Sequence, residues 1–173
     1  MIDFKRKDSY GYEDLVDLIR LLRSPEGCPW DREQTHQSIR RNFLEETYEA
    51  LEAIDQEDPV HLCEELGDVL TQVVFHADIE RAAGRFTMDD VCDGVCKKLI
   101  LRHPHVFGRT EVHGTDDVLT NWDAIKRVEK HQETFTDTLE AVPKNLPANW
   151  RAEKLQKKAA KAGFDWPDVA GAL

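Results

Sequence analysis

Residues 44–68 have the sequence LEETYEALEAIDQEDPVHLCEELGD. Two segments rich in Leu, Ala and Glu flank Glu57-Asp58-Pro59, whose proline cannot continue a preceding helix. Apolar residues recur at helical spacing on both sides of this break. We therefore predict helices at about 35–55 and 60–83, which pack as antiparallel neighbours because their connection is short.

The rest of the chain shows the same helical periodicity and no sustained two-residue alternation of the kind that marks strands. The length of 173 residues suits one domain, so we predict an all-α fold in a single domain over 1–173. Thr87 and Asp90 have capping-box spacing, and Gly84 is expected to end the preceding helix. The other predicted helices are 12–23, 87–101, 117–132 and 147–162, with loops at 24–31 and 104–115.

Composition excludes several classes of protein. The net charge of −11 repels a nucleic-acid backbone, so we expect no nucleic-acid partner. No apolar run approaches the roughly 18 residues of a membrane span, and the positive start lacks an apolar signal segment, so we expect a cytoplasmic protein without a membrane partner. The four cysteines lack zinc spacing and are expected to be reduced thiols.

Acidic side chains lie at three-residue spacing on both central helices. Glu46 and Glu49 share one stripe, and Glu65 and Asp68 share another, because residues three apart lie on one helix face. Antiparallel packing can bring these four carboxylates together. Clustered acids repel unless a cation or a basic partner compensates them, and Mg²⁺ prefers a few carboxylates together with phosphate oxygens.

Spacing alone leaves an alternative open. An acidic face opposite the apolar stripe of Leu44, Tyr48 and Leu51 is also typical of an ordinary solvated helix. A di-iron site is disfavoured, since His36 ends the only Glu-x-x-His motif and such sites use two. Gly67 costs about 1 kcal/mol relative to alanine inside a helix, which indicates close approach of another helix beside the acids.

Five segments of the chain, in order, resemble the MazG nucleoside triphosphate pyrophosphohydrolases. The resemblance covers nearly the whole chain from about Leu15 onward and implies a MazG-like bundle. Its four-helix core would be completed by pairing with a second copy, as a homodimer or a higher homo-oligomer. The segments are Gly27-Cys28-Pro29-Trp30-Asp31, Leu44-Glu45-Glu46-Thr47-Tyr48-Glu49, Glu65-Leu66-Gly67-Asp68, Arg102-His103-Pro104-His105-Val106-Phe107 and Gly163-Phe164-Asp165-Trp166.

The resemblance implies hydrolysis of a nucleoside triphosphate between its α and β phosphates, which gives the monophosphate and pyrophosphate with Mg²⁺, or Mn²⁺ as a substitute. The family's metal ligands carry over onto Glu46, Glu49, Glu65 and Asp68. Glu45 would lie behind them, orienting water or a ligand, as a candidate general base. The catalytic residues implied are therefore Glu45, Glu46 and Glu49.

Substrate-binding residues also carry over from the family. Lys98 and Arg102 share a helix face and are expected to reach phosphate oxygens, although a solvated helix end favours the same residues. Trp122 and Lys126 resemble the family's base-stacking tryptophan and its basic neighbour. An indole stacks on any base, which suits loose base selectivity, whereas a core aromatic is the commoner role of a tryptophan.

Several further positions carry open interpretations. Trp30 either closes over the nucleotide or has a structural role as a packed side chain of a rigid loop. His103 and His105 could bind metal but more often such a pair shapes a turn or contacts phosphate. His61 and Asn42 stand one turn before the acid pairs, where active relatives often have a lysine, and this departure bears on triphosphate affinity and substrate preference.

The end of the chain resembles a junction between two MazG copies. Residues 163–166 match the segment that leads into a second copy in tandem relatives, so we expect 147–173 to include a possible linker and the chain to be an amino-terminal half. A catalytically weak or inactive dimerisation or regulatory module is the alternative function. Related hydrolysis of dUTP or phosphoribosyl-ATP is disfavoured, because those branches should lack the segments at 28–31 and 103–107.

Overall fold

The computed structural model describes residues 4–166 and residue 170. Its regular elements within that range are α-helices, which confirms the predicted all-α class. Their bounds are α1 Tyr12–Leu22, α2 Pro29–Glu33, α3 Arg40–Asp55, α4 Pro59–Ala82, α5 Met88–Arg102, α6 Pro104–Phe107, α7 Thr115–Glu129, α8 Phe135–Glu140 and α9 Ala148–Lys161. None of these helices is both long and apolar enough to cross a lipid bilayer.

The chain divides into two compact units, Met1–Cys96 and Lys97–Leu173, with the boundary inside α5. In the first unit, α4 packs against both α3 and α1. Four side chains form the buried apolar core, and partly buried residues of α1 and α4 surround it. The four are Ile19, Ile39, Val74 and Phe75.

The connection between α3 and α4 is only Gln56-Glu57-Asp58, so the two packed helices run antiparallel as predicted. Glu57 adopts a positive φ of 54° in this turn. Asp58 then caps α4, since its carboxylate accepts hydrogen bonds from the backbone N–H groups of Val60 and His61 at 3.0 and 3.1 Å. These bonds lower the pKa of Asp58 and keep the cap ionised.

The predicted start of the second long helix at 35 is wrong, because α3 begins at Arg40. The Ser38 hydroxyl accepts from the backbone N–H of Thr35 at 2.9 Å, and the Thr35 hydroxyl accepts from the N–H of Ser38 at 3.2 Å. Side-chain bonds of this kind give the backbone an alternative to helical bonding. Residues 35–39 therefore form turns before α3.

Three short helices occur outside the predicted ones. Within the predicted loops, α2 and α6 both begin at a proline, which suits the first helical position because its N–H is not needed there. Between 132 and 147, α8 has a capping box in which Thr134 and Asp137 each bond the other's backbone. All three are too short to show helical periodicity in the sequence. The predicted capping box of Thr87 and Asp90 is confirmed.

A second expectation is wrong within the described chain. Gly67 was expected to mark close approach of a neighbouring helix, but no other described atom lies within 4 Å of the position that a Cβ would occupy. An alanine could therefore fit there without a clash. Gly84, in contrast, has a φ of 69° just beyond α4, the left-handed conformation that favours glycine at a helix end.

A buried ion pair links α1 to α4. Nε of Arg23 donates to Oδ2 of Asp78 at 2.9 Å, and both side chains are less than 10% exposed. The same guanidinium lies 4.8 Å from the ring centre of Phe75 and donates to the backbone carbonyl of Asp31 at 2.7 Å. Arg81 donates to the other Asp78 oxygen at 2.7 Å. The pair thus fixes α1 and α2 against α4.

A second polar network fixes the turn before α3. His36 contacts His76 with their Nδ1 atoms 2.7 Å apart, and its Nε2 contacts Glu80. Arg85 binds both oxygens of Glu80. Hydrogen bonds from Arg85, and then from His36, lower the pKa of Glu80 to about 2. The Glu80 carboxylate is therefore ionised at neutral pH and holds His36 against α4.

In the second unit, α8 packs against α9. An ion pair between Lys161 and Asp123 joins the end of α9 to α7. Arg102, at the end of α5, donates through Nε to Oε2 of Glu129 on α7 at 2.8 Å. This unit therefore uses ion pairs between helices as well as apolar contacts.

Removal of one partner from the buried pair should destabilise the first unit. Asp78→Ala leaves the Arg23 charge buried without its partner, and we expect it to lower the free energy of unfolding by about 3 kcal/mol. Chemical denaturation followed by circular dichroism measures this change. The matched control is Asp17→Ala, because Asp17 forms an exposed pair with Arg20 and should change stability little. Equal effects of the two substitutions would contradict the importance of the buried pair.

Candidate functional site

The face of α3 that packs on α4 carries both acids and small residues. Ala50 and Ala53 are buried, and Glu46 and Glu49 lie one turn before them on the same side of the helix. Alanine side chains allow close approach of two helices, so the acids at this end are brought near α4. Glu46 is half-buried and Glu49 is exposed.

Glu65 on α4 completes a three-carboxylate cluster. Oxygen atoms of Glu46, Glu49 and Glu65 all lie within 4.8 Å of one another. Glu65 is only 7% exposed, unlike an acid on a solvated helix face. Antiparallel packing thus brings acids from two helices together, and we name Glu46, Glu49 and Glu65 the acidic cluster.

Asp68 lies beside the acidic cluster and is exposed. Burial raises the pKa of Glu46 above its ordinary value, and the negative charges of Asp68, Glu49 and Glu65 raise it further. Among these charges, Asp68 has the largest effect. The charge of Asp68 therefore affects the pKa of Glu46, although Asp68 does not belong to the set of residues whose oxygens lie within 4.8 Å of one another.

One oxygen of Glu65 distinguishes the cluster from a simple accumulation of acids. Oε2 of Glu65 is buried and has no hydrogen-bond partner among the described residues. A buried carboxylate oxygen normally has a donor or a cation beside it. Three converging carboxylates with an unpaired buried oxygen suit a hard divalent cation such as Mg²⁺, which takes a few carboxylates and keeps other positions for water or phosphate.

Glu45 lies apart from the acidic cluster. Its side chain is exposed and pairs with Arg41, whose Nε donates to Oε1 of Glu45 at 2.8 Å. The two residues are four apart on α3, and an exposed pair of this kind contributes little to stability. The carboxylate of Glu45 can therefore exchange Arg41 for another partner at small cost.

In the second unit, Arg102 and Trp122 form one packed group. Arg102 is 8% exposed, and its guanidinium lies 5.4 Å from the Trp122 ring centre while it pairs with Glu129. His103 meets Trp122 edge-on at 4.8 Å, and its Nδ1 donates to the Leu99 carbonyl at 2.6 Å. Trp122 is half-buried. The pairing with Arg102 lowers the pKa of Glu129.

The other substrate-binding candidates are exposed. Trp30 on α2 is 60% exposed, and its backbone carbonyl accepts from Gln34 at 2.9 Å. Lys98 on α5 is near enough to Glu129 to lower the pKa of that carboxyl. Lys126 on α7 lowers the pKa of Lys158 on α9, where burial is the larger cause. None of these three side chains is buried.

Two residues, His61 and Glu129, contact candidate site residues in a way that was not predicted from the sequence. His61 Nε2 lies 3.0 Å from Oε1 of Glu65, and their four-residue spacing on one helix is a signal that the sequence contains. Glu129 pairs with Arg102 across 27 positions, and no local pattern indicates such a pair. His105, another candidate, has a buried Nδ1 without a partner among the described residues.

Residues 34–107 match the family model of the MazG nucleotide pyrophosphohydrolase domain, a range that contains every member of the acidic cluster. The chain also resembles a solved structure, the crystal structure of a mazG-related protein from Thermotoga maritima. That match has a TM-score of 0.55 and 26% identity, and it covers 66% of this chain and 98% of the other.

Longer relatives match most of this chain. The nucleoside triphosphate pyrophosphohydrolase of Escherichia coli K12 is 46% identical over 88% of the chain, and the corresponding MazG enzyme of Thermotoga maritima is 46% identical over 92%. The uncharacterized protein YabN of Bacillus subtilis is 56% identical over 81%. The chain spans only 58%, 61% and 28% of these three relatives, respectively. The family model, the helical fold and these relatives agree, and residues 34–107 of the chain form a MazG domain.

Proposed function

We propose that this chain is a Mg²⁺-dependent nucleoside triphosphate pyrophosphohydrolase that releases a nucleoside monophosphate and pyrophosphate. The observation that carries the proposal is the acidic cluster, in which three carboxylates converge and Glu65 keeps one buried oxygen without a partner among the described residues. A chain with a net charge of −11 needs a cation to bind a triphosphate, and the cluster supplies a place for one. The relatives named as pyrophosphohydrolases add to this support.

The residues of this chain have distinct roles in the proposal. Glu46, Glu49, Glu65 and Asp68 hold the divalent cation, with Asp68 approaching from the exposed side. Bound Mg²⁺ or Mn²⁺ neutralises phosphate charge and lowers the pKa of a water. Glu45 orients the attacking water and accepts its proton, after release from the weak contact with Arg41.

The second unit supplies the residues proposed to bind the nucleotide. Trp122 stacks on the base, which suits loose base selectivity. Lys126 is its basic neighbour in the proposal. Lys98 and Arg102 are proposed to bind phosphate oxygens. For the first unit taken by itself, the resemblance supports a proposed role of Trp30 in covering a nucleotide. Because Arg102 is buried against Glu129, its proposed phosphate contact requires exchange of that carboxylate for phosphate.

We also propose that two copies of the chain pair through the apolar face of α3 and α4. Leu44, Tyr48, Leu51 and Leu66 are each more than 40% exposed. Exposed apolar side chains at helical spacing on packed helices indicate a surface that another molecule covers. A second copy would complete a four-helix core.

A catalytically inactive dimerisation or regulatory module is the second candidate. The observation in its favour is the contact between Arg41 and Glu45, which occupies the candidate base. A panel of canonical and damaged nucleoside triphosphates, assayed for pyrophosphate release with Mg²⁺ or Mn²⁺, distinguishes the two functions. Release from any substrate supports the enzyme, and no release from the whole panel supports the module.

Loss of one of the carboxylates proposed to hold the cation should lower turnover strongly. Glu49→Gln and Asp68→Asn remove negative charge without much change in side-chain size, and we expect each to lower kcat/KM by about a hundredfold or more. Pyrophosphate release measures the change. The matched control is Glu52→Gln, one turn further along α3, where the carboxylate accepts from Gln56 instead. Activity of Glu49→Gln equal to that of Glu52→Gln would remove the acidic cluster from the mechanism.

Trp122 should govern nucleotide affinity. Because base stacking is lost, we expect Trp122→Ala to raise KM about tenfold and to change kcat less. Steady-state kinetics with several bases measures both parameters. Trp150→Ala is the control, since Trp150 on α9 is 47% exposed and has no proposed role. A larger fall in kcat than rise in KM would instead assign Trp122 a role in the structure of the second unit.

The oligomeric state tests the proposed pairing. Leu51→Glu places a charge on the exposed apolar face of α3, and burial of an unpaired charge at an interface is strongly unfavourable. Light scattering should give about twice the chain mass of 19.9 kDa for the unaltered protein and the single mass for the variant. Val128→Glu, at a 77% exposed position on α7, should stay paired. A monomeric unaltered protein would refute the pairing.

A further inference from the structure

We propose that His61 is a positioning residue for the acidic cluster, which holds Glu65 so that its unpaired oxygen faces Glu46 and Glu49. The inference rests on the proposed function, because it concerns the same cation site. It assigns a role to the contact that His61 makes with Glu65. His61 itself does not contact the cation in this proposal and acts through Glu65.

The backbone of His61 is fixed by the start of α4. His61 lies in the first turn, where its N–H donates to the carboxylate of Asp58 at 3.1 Å. Pro59 opens the helix, and its ring restricts the backbone there. The imidazole is therefore attached to a capped helix end, whose backbone has less conformational freedom than that of a loop.

The imidazole reaches one oxygen of Glu65 and leaves the other. Nε2 of His61 lies 3.0 Å from Oε1, while Oε2 is buried without a partner. The two side chains differ in environment, since that of His61 is 36% exposed and that of Glu65 is 9% exposed. One carboxylate oxygen is thus in contact with His61, and the other has no partner among the described residues.

This arrangement opposes the repulsion between the acids. The carboxylate of Glu65 would otherwise turn away from Glu46 and Glu49, because like charges at this range disfavour one another. The contact of Nε2 of His61 with Oε1 restricts the rotation of the carboxylate group. Hydrogen bonds to the outer oxygen of a ligating carboxylate are a common means of orienting the inner oxygen toward a metal.

The contact also has a plain structural explanation. Pairs of opposite charge four residues apart stabilise an isolated helix slightly, whether or not a ligand is near. The burial of Glu65 and its unpaired Oε2 favour the positioning role, since a surface pair would leave both oxygens hydrated. The two explanations differ in whether cation affinity depends on His61.

Manganese binding to the full chain, measured by the electron paramagnetic resonance of free Mn²⁺, tests the proposal without reliance on turnover. We expect His61→Ala to raise the Mn²⁺ dissociation constant about tenfold. His61→Gln should restore most of the affinity, because the glutamine amide keeps a donor near Oε1. The control is His113→Ala, an exposed histidine outside the first unit, which should leave the affinity unchanged.

The outcomes separate this inference from the proposed function. Equal Mn²⁺ affinity of His61→Ala and the unaltered chain would overturn the role of His61 while leaving the cation site intact. Weak binding by both His61→Ala and His61→Gln, with lowered thermal stability of both metal-free variants, would assign His61 to structure alone. Absence of Mn²⁺ binding by the unaltered chain would overturn the cation site, the proposed function and this inference together.

Discussion

The packing of α3 on α4 forces carboxylates together against their mutual repulsion, and the proposed chemistry depends on this constraint. Acids placed within 4.8 Å of one another oppose the fold unless a cation or a proton compensates them. Burial raises the pKa of Glu46, and the neighbouring negative charges raise it further. The buried alanines on α3 maintain the approach, since larger side chains there would separate the two helices.

The two halves of helix α4 carry buried acids in different environments. Its second half carries the apolar core residues Val74 and Phe75 and the buried acids Asp78 and Glu80, which pair with arginines and histidine. Its first half carries Glu65, which has no arginine partner among the described residues. Acids in the second half are compensated by the protein itself. In the first half, Glu65 contacts only His61 through one oxygen and keeps the other without a partner among the described residues, as the proposed cation site requires.

The second unit has a different organisation. Arg102, Trp122 and Glu129 form a group in which a buried guanidinium contacts both an indole face and a carboxylate. An arginine held in this way is oriented before any phosphate arrives, and pre-orientation reduces the entropy lost on binding. The same carboxylate competes with phosphate for the guanidinium. The proposed phosphate contact of Arg102 therefore requires a ligand with enough negative charge to displace Glu129.

The sequence by itself determined the helical class, the helix pair at the centre and the two acidic stripes, because helix faces follow from residue spacing within one element. It also indicated the capping box of Thr87 and Asp90, which depends on side chains three positions apart. Only the tertiary structure decided which acids converge, that Glu65 is buried and that Glu45 lies apart. It likewise decided the pairing of Arg102 with Glu129 and the later start of α3. Such features depend on how distant segments pack and on competing local bonds, and neither is fixed by the spacing of residues along a single helix.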